Sequence, residues 1–298
     1  REGGFPMRMI TAAEVFSRLP QREADTNKGS YGSVAAVAGS LAYRGAAALC
    51  CEGALRGGAG LVYLAGVEPV VQLVLARTPE CCALPCRTDA DGGILAADAA
   101  AVRQRFTEKP AVLLAGPGLG VSAGAALRAL LGPGAPWRGA VLDADALNAI
   151  AAGELGQTPF LPACTVLTPH PGEMARLLGT TVDAVQADRP GAAQRCAQRF
   201  GCVAVLKGAG TLVAAPDGRL VQNTTGNPGL ARGGSGDVLA GLLAALLAQG
   251  LTAFDAALCA VWLHGAAADR CAKRTSRMTM LPHDILADLG ALLGEQGR

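Results

Sequence analysis

Short apolar runs alternate with longer, helix-like segments along most of this sequence. The runs lie at residues 33–39, 61–65, 111–115, 140–143, 165–168 and 203–206, with a shorter one near 83–84. Strands that alternate with helices form a mostly parallel sheet covered by helices on both faces. Residues 211–215 and 220–223 flank the turn sequence PDGR, which predicts an antiparallel hairpin at one edge. The expected fold class is therefore α/β, with three layers in the order α/β/α.

Polar and glycine-rich segments follow the predicted strands, at residues 39–40, 116–120, 143–148, 170–173 and 207–208. The carboxyl ends of parallel strands meet at one edge of the sheet, and open α/β sheets bind their ligands there. We therefore expect these segments to line one site. Residues 116–120 (GPGLG) lack the G-x-G-x-x-G spacing of a dinucleotide fingerprint, so a Rossmann dehydrogenase is disfavoured.

The segment with the most specific chemistry runs from residue 223 to 250, where a glycine-rich loop leads into an apolar helix. The first turn of a helix has unpaired N–H groups and partial positive charge, which together favour phosphate. Glycines let the ligand approach the backbone closely. Asp237 lies beside this predicted anion site, where a carboxylate suits a base that takes a proton from a hydroxyl. In the alternative interpretation, Ser235 or Asp237 only caps the helix.

Other residues at the predicted rim also have both a functional and a structural interpretation. Lys207 is either a phosphate partner or a solvated turn residue, and His170 is either a ligand contact or part of a proline-fixed turn. Glu173 is either an acid favoured by the helix dipole or a residue that holds Mg²⁺ through water. Asp143 and Asp145 end a strand, where one of them is an N-cap candidate.

Composition excludes several classes of function. The net charge is +2, from 26 basic and 24 acidic residues, and aromatic residues make up 4% of the chain. Neither a basic stripe nor stacking aromatics therefore indicate nucleic-acid binding. No apolar run reaches the roughly 20 residues that a membrane span needs. The ten cysteines form no CxxC pair and only three histidines accompany them, which argues against zinc and favours a reducing cytoplasm.

Local signals set the expected boundaries. Residues 1–10 read as a tail or linker, and residues 11–298 as one domain. Thr11 and Glu14 have the spacing of a capping box at the start of a helix over residues 11–19. Pro190 is expected to interrupt a helical segment over residues 183–200. The apolar segment at residues 254–271 suits either the core or an interface between subunits.

With these segments in order, the chain resembles the ADP/ATP-dependent NAD(P)HX dehydratase family of the ribokinase-like superfamily. The matching stretches span nearly the whole chain: KGSYGSVAAVAGS (28–40), GAAALCCEGALRGGAGLV (45–62), GPGLG (116–120), LDADALN (142–148), TPHPGEMARLLG (168–179), LKGAGT (206–211) and NTTGNPGLARGGSGDVLAGLLAALL (223–247). One departure is Ser235, where the family commonly has Thr, and a hydroxyl is kept.

The resemblance implies a ribokinase-like fold and the repair of hydrated nicotinamide cofactor. ADP or ATP would phosphorylate the ring hydroxyl of (S)-NAD(P)HX, and loss of phosphate would return NAD(P)H. It also implies Mg²⁺ and a homo-oligomer, often a tetramer. The tail before Thr11 is similar to the linker that joins this domain to an NAD(P)HX epimerase domain in bifunctional relatives.

The family's site residues carry over position by position. The catalytic loop would be Gly234, Ser235, Gly236 and Asp237, with Asp237 as the base. The NAD(P)HX contacts would be Ala46, Gly118, His170 and Asp237. The nucleotide contacts would be Lys207, Gly208, Ala209, Gly210, Thr211, Asn227 and Gly236. Glu173 as a water-mediated Mg²⁺ residue comes from the wider kinase superfamily.

Two other functions fit the same residues. A kinase of a small alcohol would use the same anion loop and the same base. A non-catalytic nucleotide-binding module would need the loop but not the carboxylate of Asp237.

Overall fold

The computed structural model describes residues 7–156 and 159–297. In this part of the chain, ten strands form one sheet: β1 (Arg8–Met9), β2 (Ser33–Val37), β3 (Leu61–Val67), β4 (Cys82–Cys86), β5 (Val112–Ala115), β6 (Gly139–Leu142), β7 (Thr165–Leu167), β8 (Val203–Leu206), β9 (Leu212–Ala214) and β10 (Leu220–Gln222). The predicted strands are confirmed. Strands β5 to β9 are buried along their whole length, because helices cover both faces of the sheet.

Helices cover the sheet on both sides: α1 (Ala12–Arg18), α2 (Arg44–Arg56), α3 (Glu68–Arg77), α4 (Ala96–Arg105), α5 (Ala123–Leu130), α6 (Asp145–Ala151), α7 (Pro171–Leu178), α8 (Val182–Ala187), α9 (Arg189–Phe200), α10 (Ser235–Ala248), α11 (Ala253–Arg274) and α12 (Asp284–Gly294). Pro190 lies in the first turn of α9, so the predicted interruption separates α8 from α9. Within the described ranges, no helix is long and apolar enough to cross a membrane.

The strand order is β1-β10-β9-β8-β7-β6-β5-β2-β3-β4. Strand β9 pairs antiparallel with both β8 and β10, and the other pairs are parallel. The predicted α/β class, with a mostly parallel sheet and an antiparallel hairpin near one edge, is confirmed.

Two details at the amino terminus differ from the prediction. The tail predicted at residues 1–10 includes a strand, because Arg8 and Met9 pair with the open edge of β10. Residues 1–6 lie outside the described chain. The capping box is half formed. Thr11 accepts from the N–H of Glu14, but the Glu14 carboxylate binds Arg8 at 2.7 Å and Arg18 at 3.0 Å.

Helix α10 lies at the centre of the molecule and packs against α2. A side chain at Gly241 would overlap the Cys50 carbonyl, and one at Gly53 would lie 2.7 Å from the Val238 carbonyl oxygen. The two helices therefore touch backbone to backbone. Nearly every residue of α10 is buried, as its lack of a polar face predicts. This contact fixes the position of the loop that begins α10 relative to α2.

The apolar helix α11 is also core. Its residues from Phe254 to Cys271 are mostly buried within the single chain. Burial within one chain therefore explains the apolar composition of α11 without an interface between subunits. Eight of the ten cysteines are buried and all ten are free thiols, which agrees with their predicted use as small apolar residues.

Candidate active site

The loop that begins α10 presents main-chain N–H groups at the carboxyl edge of the sheet. Gly234 is the N-cap residue and has φ +96°, a conformation that favours glycine, and a side chain there would run into Leu49. No side chain caps this helix in the described ranges. The alternative in which Ser235 or Asp237 is only a cap is therefore wrong. The open first turn is suited to an anion.

Four charged side chains lie beneath this loop, and we call them the Lys207 cluster: Lys207, Asp143, Glu173 and Asp237. Lys207 follows β8, and its Nζ lies 2.7 Å from Oδ1 of Asp143 and 3.9 Å from Oε2 of Glu173. Asp143 follows β6 and also accepts a hydrogen bond of 2.8 Å from the Thr168 hydroxyl, at the end of β7. The cluster thus joins the ends of three neighbouring strands.

Gly236 brings the backbone of the loop onto the cluster. A side-chain carbon at this position would lie 3.3 Å from Nζ of Lys207 and 3.6 Å from Oδ2 of Asp143. The ammonium group is therefore close enough to share an anion with the loop. The sequence predicts Lys207 as a phosphate partner beside this loop, and the structure places the two together, with Asp143 as a partner that the prediction omitted.

Two acids of the cluster, Asp237 and Glu173, have pKa values raised toward neutral pH. Burial, and then repulsion from Asp143, raise the pKa of Asp237 to about 7, although Lys207 opposes the rise. Burial likewise raises the pKa of Glu173 to about 7 against the effect of Lys207. A base whose pKa lies near the working pH is well suited to proton transfer.

Lys207 stays charged in this setting. Burial by itself would lower its pKa, but the three neighbouring carboxylates outweigh burial and raise the pKa above its ordinary value. A fixed positive charge at this point attracts phosphate.

His170 and Glu173 form a reciprocal cap at the start of α7. The His170 Nδ1 accepts the N–H of Gly172 at 3.0 Å, and Glu173 accepts the N–H of His170 at 2.8 Å. The first-turn role of Glu173 is therefore confirmed. Burial, then Lys207 and Arg176, lower the pKa of His170, whose side chain is half exposed at the same edge of the sheet. His170 is thus a neutral imidazole with one face open to a ligand.

A metal ion at Glu173 would have to be held through water, because both carboxylate oxygens already have close neighbours. One oxygen accepts the His170 N–H, and the other lies 3.3 Å from the His170 Nε2. In the described ranges, no group of three or more histidine, cysteine, aspartate or glutamate side chains is arranged to bind a metal directly.

The turn of residues 207–211 lies open beside the cluster. Gly208 and Ala209 are exposed, and the Thr211 hydroxyl donates to the Gly208 carbonyl at 2.9 Å. The Arg189 guanidinium supports this turn by donating to the carbonyls of Leu206 and Lys207, each at 3.3 Å. Sequence reasoning missed Arg189, because it lies in the first turn of α9 and belongs to no motif.

Asn227 is occupied by protein partners on both sides. Its Oδ1 accepts the N–H of Gly229, and its Nδ2 donates to Asp269, which also accepts the N–H of Gly226. The side chain of this predicted nucleotide contact thus fixes its own loop to α11. A cavity of about 830 Å³ lies next to Asp269, between α11 and α12, and none of its lining residues belongs to the Lys207 cluster.

The predicted substrate contacts Ala46 and Gly118 lie together. A side chain at Gly118 would come within 3.0 Å of the Ala46 Cβ and 2.8 Å of the Tyr43 Cβ. Asp145 holds this segment by accepting the N–H of Gly120 at 2.8 Å, so it has a structural role. Asp145 is the first residue of α6, and Ala144 is the N-cap, so neither Asp143 nor Asp145 is the N-cap residue.

His264 is a further polar residue that the sequence did not reveal. It lies on α11, is only 7% exposed, and lies next to the main chain of Ser235. Its Nε2 has no partner among the described residues. Burial lowers its pKa to about 4, so it is neutral and leaves the positive charge near the loop to Lys207. No motif marks His264, since it lies within an apolar helix.

Comparisons with known proteins agree with this geometry. The family model described as NAD(P)H-hydrate dehydratase matches residues 34–290. The ADP-dependent (S)-NAD(P)H-hydrate dehydratase of Neisseria meningitidis is 41% identical over 251 residues, which cover 83% of this chain and 80% of that protein.

Two solved structures have a similar fold. The ADP/ATP-dependent NAD(P)H-hydrate dehydratase of Bacillus subtilis, co-crystallized with ATP/Mg²⁺, has a TM-score of 0.84 and 32% identity, with 98% of this chain and 99% of that one covered. A ribokinase-like superfamily protein of Enterococcus faecalis has a TM-score of 0.84 and 28% identity, with 99% and 98% covered. The predicted ribokinase-like fold is confirmed.

The length of the relatives differs. The chain spans about half the length of the relatives named bifunctional NAD(P)H-hydrate repair enzymes, with 53% of the Moorella thermoacetica protein and 51% of the Gloeobacter violaceus protein covered. The family match nevertheless extends over most of this chain and includes the loop of α10 and all four members of the Lys207 cluster. This chain belongs to the NAD(P)H-hydrate dehydratase family.

Proposed function

We propose that this protein is an ADP- or ATP-dependent (S)-NAD(P)H-hydrate dehydratase, a lyase that repairs hydrated nicotinamide cofactors. The observation that carries the proposal is the position of Asp237. Its carboxylate is partly buried, has a raised pKa, and lies between an open helix start and Lys207. Binding a phosphate group alone would not call for a carboxylate at this point, because the two negative charges repel each other.

The proposed reaction has two steps. Asp237 takes the proton of the ring hydroxyl as the hydroxyl oxygen attacks the terminal phosphorus of the nucleotide, which forms a phosphate ester and releases AMP from ADP or ADP from ATP. The ester then loses phosphate together with a proton from the neighbouring ring carbon, and the ring double bond of NAD(P)H is restored. The oxygen of the hydroxyl leaves with the phosphate.

The loop of α10 would hold the phosphoryl group during transfer. Among the described residues, the N–H groups of Gly236 and Asp237 have no acceptor. Positioned donors that meet developing charge supply much of the catalysis in such reactions. Gly234 and Ser235 set the conformation of this turn, and Lys207 adds a positive charge 2.7 Å from Asp143.

The nucleotide would lie along the turn of residues 207–211 and meet the loop at Gly236. The exposed Gly208 and Ala209, the partly exposed Gly210 and the Thr211 hydroxyl support this placement. Asn227 would contribute through the loop that it holds to Asp269. The Neisseria meningitidis relative is an ADP-dependent enzyme, and the Bacillus subtilis relative is an ADP/ATP-dependent one.

Mg²⁺ would accompany the nucleotide, as in the crystals of the Bacillus subtilis relative. Glu173 would hold it through water, next to Lys207 at 3.9 Å. When bound, the ion would neutralise part of the phosphate charge.

The hydrated dinucleotide would approach from the other side of the loop. Ala46 and Gly118, which lie against each other, would contact the substrate through their backbone. The half-exposed side chain of His170 would face the substrate. These assignments support a site with nucleotide on the β8 side and substrate on the β5 side of Asp237.

Several wider properties are proposed with the activity. Residues 11–298 would form one dehydratase domain, and the bifunctional relatives support fusion to an NAD(P)HX epimerase domain upstream. A homo-oligomer, most simply a tetramer, follows from the family resemblance and can be measured by light scattering. The ten free thiols support a cytoplasmic location.

The proposal predicts that absorbance at the NADH band rises when the protein is mixed with hydrated NADH, Mg²⁺ and ADP or ATP. The rise should require nucleotide, and the faster nucleotide identifies the donor. If neither nucleotide supports a rise in a folded protein that binds ADP, the proposal fails. A kinase of a small alcohol then becomes the best explanation of the same site, and a screen of alcohols would follow.

A further inference from the structure

An exposed aromatic side chain lies beside the residues proposed to contact the substrate. Tyr43 immediately precedes α2, is 59% exposed, and forms no side-chain cap on that helix. Its N–H donates to the Ser40 carbonyl at 3.2 Å, so its backbone is fixed at the end of β2. A large exposed ring on a fixed backbone leaves apolar surface in water unless something covers it.

Tyr43 adjoins the Ala46–Gly118 contact. A side chain at Gly118 would meet both the Cβ and the carbonyl oxygen of Tyr43 at 2.8 Å. Gly118 has φ +63°, so glycine is required there for conformation as well as for space. The base of the tyrosine side chain therefore lies against the segment after β5, beside the proposed substrate contacts.

Three residues place Tyr43 at a definite distance from the loop of α10. Tyr43, Ala46 and Leu49 follow one another at intervals of three, so they lie near one face of α2. Leu49 packs against Gly234. At a rise of about 1.5 Å per residue, Tyr43 lies about 9 Å along the helix axis from Leu49. This separation from the loop suits a part of the substrate that lies away from the reacting hydroxyl.

Two further apolar side chains in the neighbouring segments are exposed. Leu41, which follows Ser40, is 42% exposed. Val121, in the same segment as Gly118, is 79% exposed. Leu41 is held by a 2.9 Å hydrogen bond from its N–H to the Gly92 carbonyl. Tyr43 is therefore one of three exposed apolar side chains in the segments that follow β2 and β5.

We propose that Tyr43 stacks on the adenine base of the hydrated dinucleotide and so selects dinucleotides over mononucleotides. This inference rests on the proposed function. Adenine has a flat aromatic face, whereas the hydrated nicotinamide ring has lost a double bond and offers a poorer one. Across two riboses and a diphosphate, adenine is also the part of the substrate that lies farthest from the reacting hydroxyl. Stacking of a base on a tyrosine ring tolerates different sugars and phosphates.

The test compares two substrates in three variants. In Tyr43→Ala, the KM for hydrated NADH should rise about 10-fold, in the range of one base stack, with kcat and the KM for ADP unchanged. The KM for hydrated reduced nicotinamide mononucleotide, which lacks adenine, should not change. Tyr43→Phe should behave like the wild type, because the ring is kept. Phe160→Ala is the matched control, since Phe160 is 52% exposed but lies before the amino end of β7, whereas Tyr43 follows the carboxyl end of β2.

Two outcomes overturn the inference. One is an unchanged KM for hydrated NADH in Tyr43→Ala, and the other is an equal rise for the mononucleotide. Binding of intact NADH, measured by its fluorescence, separates this inference from the proposed function. If the wild type turns over neither hydrate, the proposed function fails, and equal Kd values for NADH in wild type and Tyr43→Ala would then refute the stacking role as well.

Discussion

Replacing Asp237 by asparagine is expected to lower kcat for nucleotide-dependent dehydration by about 10³-fold, within the usual range for loss of a general base. Asparagine has nearly the same shape, so the loop of α10 and its N–H groups should stay in place. The Kd for ADP should stay the same or fall, because the substitution removes a negative charge that repels the phosphate. Steady-state kinetics and calorimetry would measure the two effects.

The same substitution should stabilise the fold at alkaline pH. The pKa of Asp237 rises from 3.8 to about 7 on folding, so the contribution of this group to stability is present below pH 3.8 and is lost as pH rises through 7. At pH 8 we expect the free energy of unfolding of Asp237→Asn to exceed that of the wild type by about 2 kcal/mol. That is less than the roughly 4 kcal/mol that three pKa units represent, because Lys207 loses one of its carboxylate neighbours.

Chemical denaturation at pH 4 and pH 8 would measure this difference, which should vanish at the lower pH. Asp183→Asn is the control, because Asp183 also lies in the first turn of a helix, α8, but is exposed. A variant that keeps at least a tenth of wild-type kcat would show that Asp237 is not the base. A variant that loses ADP binding with its activity would instead assign Asp237 a role in holding the loop.

Replacing Lys207 by methionine is expected to destabilise the protein by about 3–5 kcal/mol at pH 8 and to abolish turnover. The substitution leaves Asp143 and Glu173 buried without a cation, and an uncompensated buried charge is costly. The destabilisation should shrink toward pH 5, where Glu173 and Asp237, with pKa values of about 7, take up protons.

Asp143→Asn in the Lys207→Met background should recover part of the stability, because it removes the closest unpaired charge, the one 2.7 Å from Nζ in the wild type. It should recover no turnover. Lys273→Met, on the outer part of α11, is the matched control and should change stability by less than about 0.5 kcal/mol. A Lys207→Met variant as stable as the wild type at pH 8 would contradict the proposed charge balance.

The position of the site could be predicted from sequence because it depends on a property of the whole fold. The segments at residues 116–120, 143–148, 170–173 and 207–208 follow parallel strands, and they all meet at one edge. The loop of residues 233–237 could be predicted from its glycines and from the apolar helix after it. Both inferences need only the local pattern and the class of fold.

The pairing of side chains within the site could not be predicted in the same way. Lys207 and Asp143 follow β8 and β6, which are separated by β7. That order is a tertiary property, so the 2.7 Å ion pair has no signal in the spacing of the two residues. His264 reaches Ser235 from an otherwise apolar helix, and only the packing of α11 against α10 reveals it.

The β-strand at Arg8–Met9 was missed for a different reason. Two residues are too few for a periodic pattern, and the strand forms because β10 offers an open edge. The capping box at Thr11 was half formed because Arg8 and Arg18 bind the Glu14 carboxylate that the motif would use. In both cases a tertiary contact decided between local alternatives.

The most direct test of the proposed chemistry follows the oxygen atom of the ring hydroxyl. NADH hydrated in water enriched in oxygen-18 carries the label in that hydroxyl, and the protein is then supplied with ADP and Mg²⁺ in ordinary water. Our account predicts one labelled oxygen in the released phosphate for each NADH restored, with unlabelled AMP, as mass spectrometry would detect. Label found in water, with unlabelled phosphate, would show that the hydroxyl leaves without being phosphorylated and would contradict the role given to Asp237 and the loop of α10.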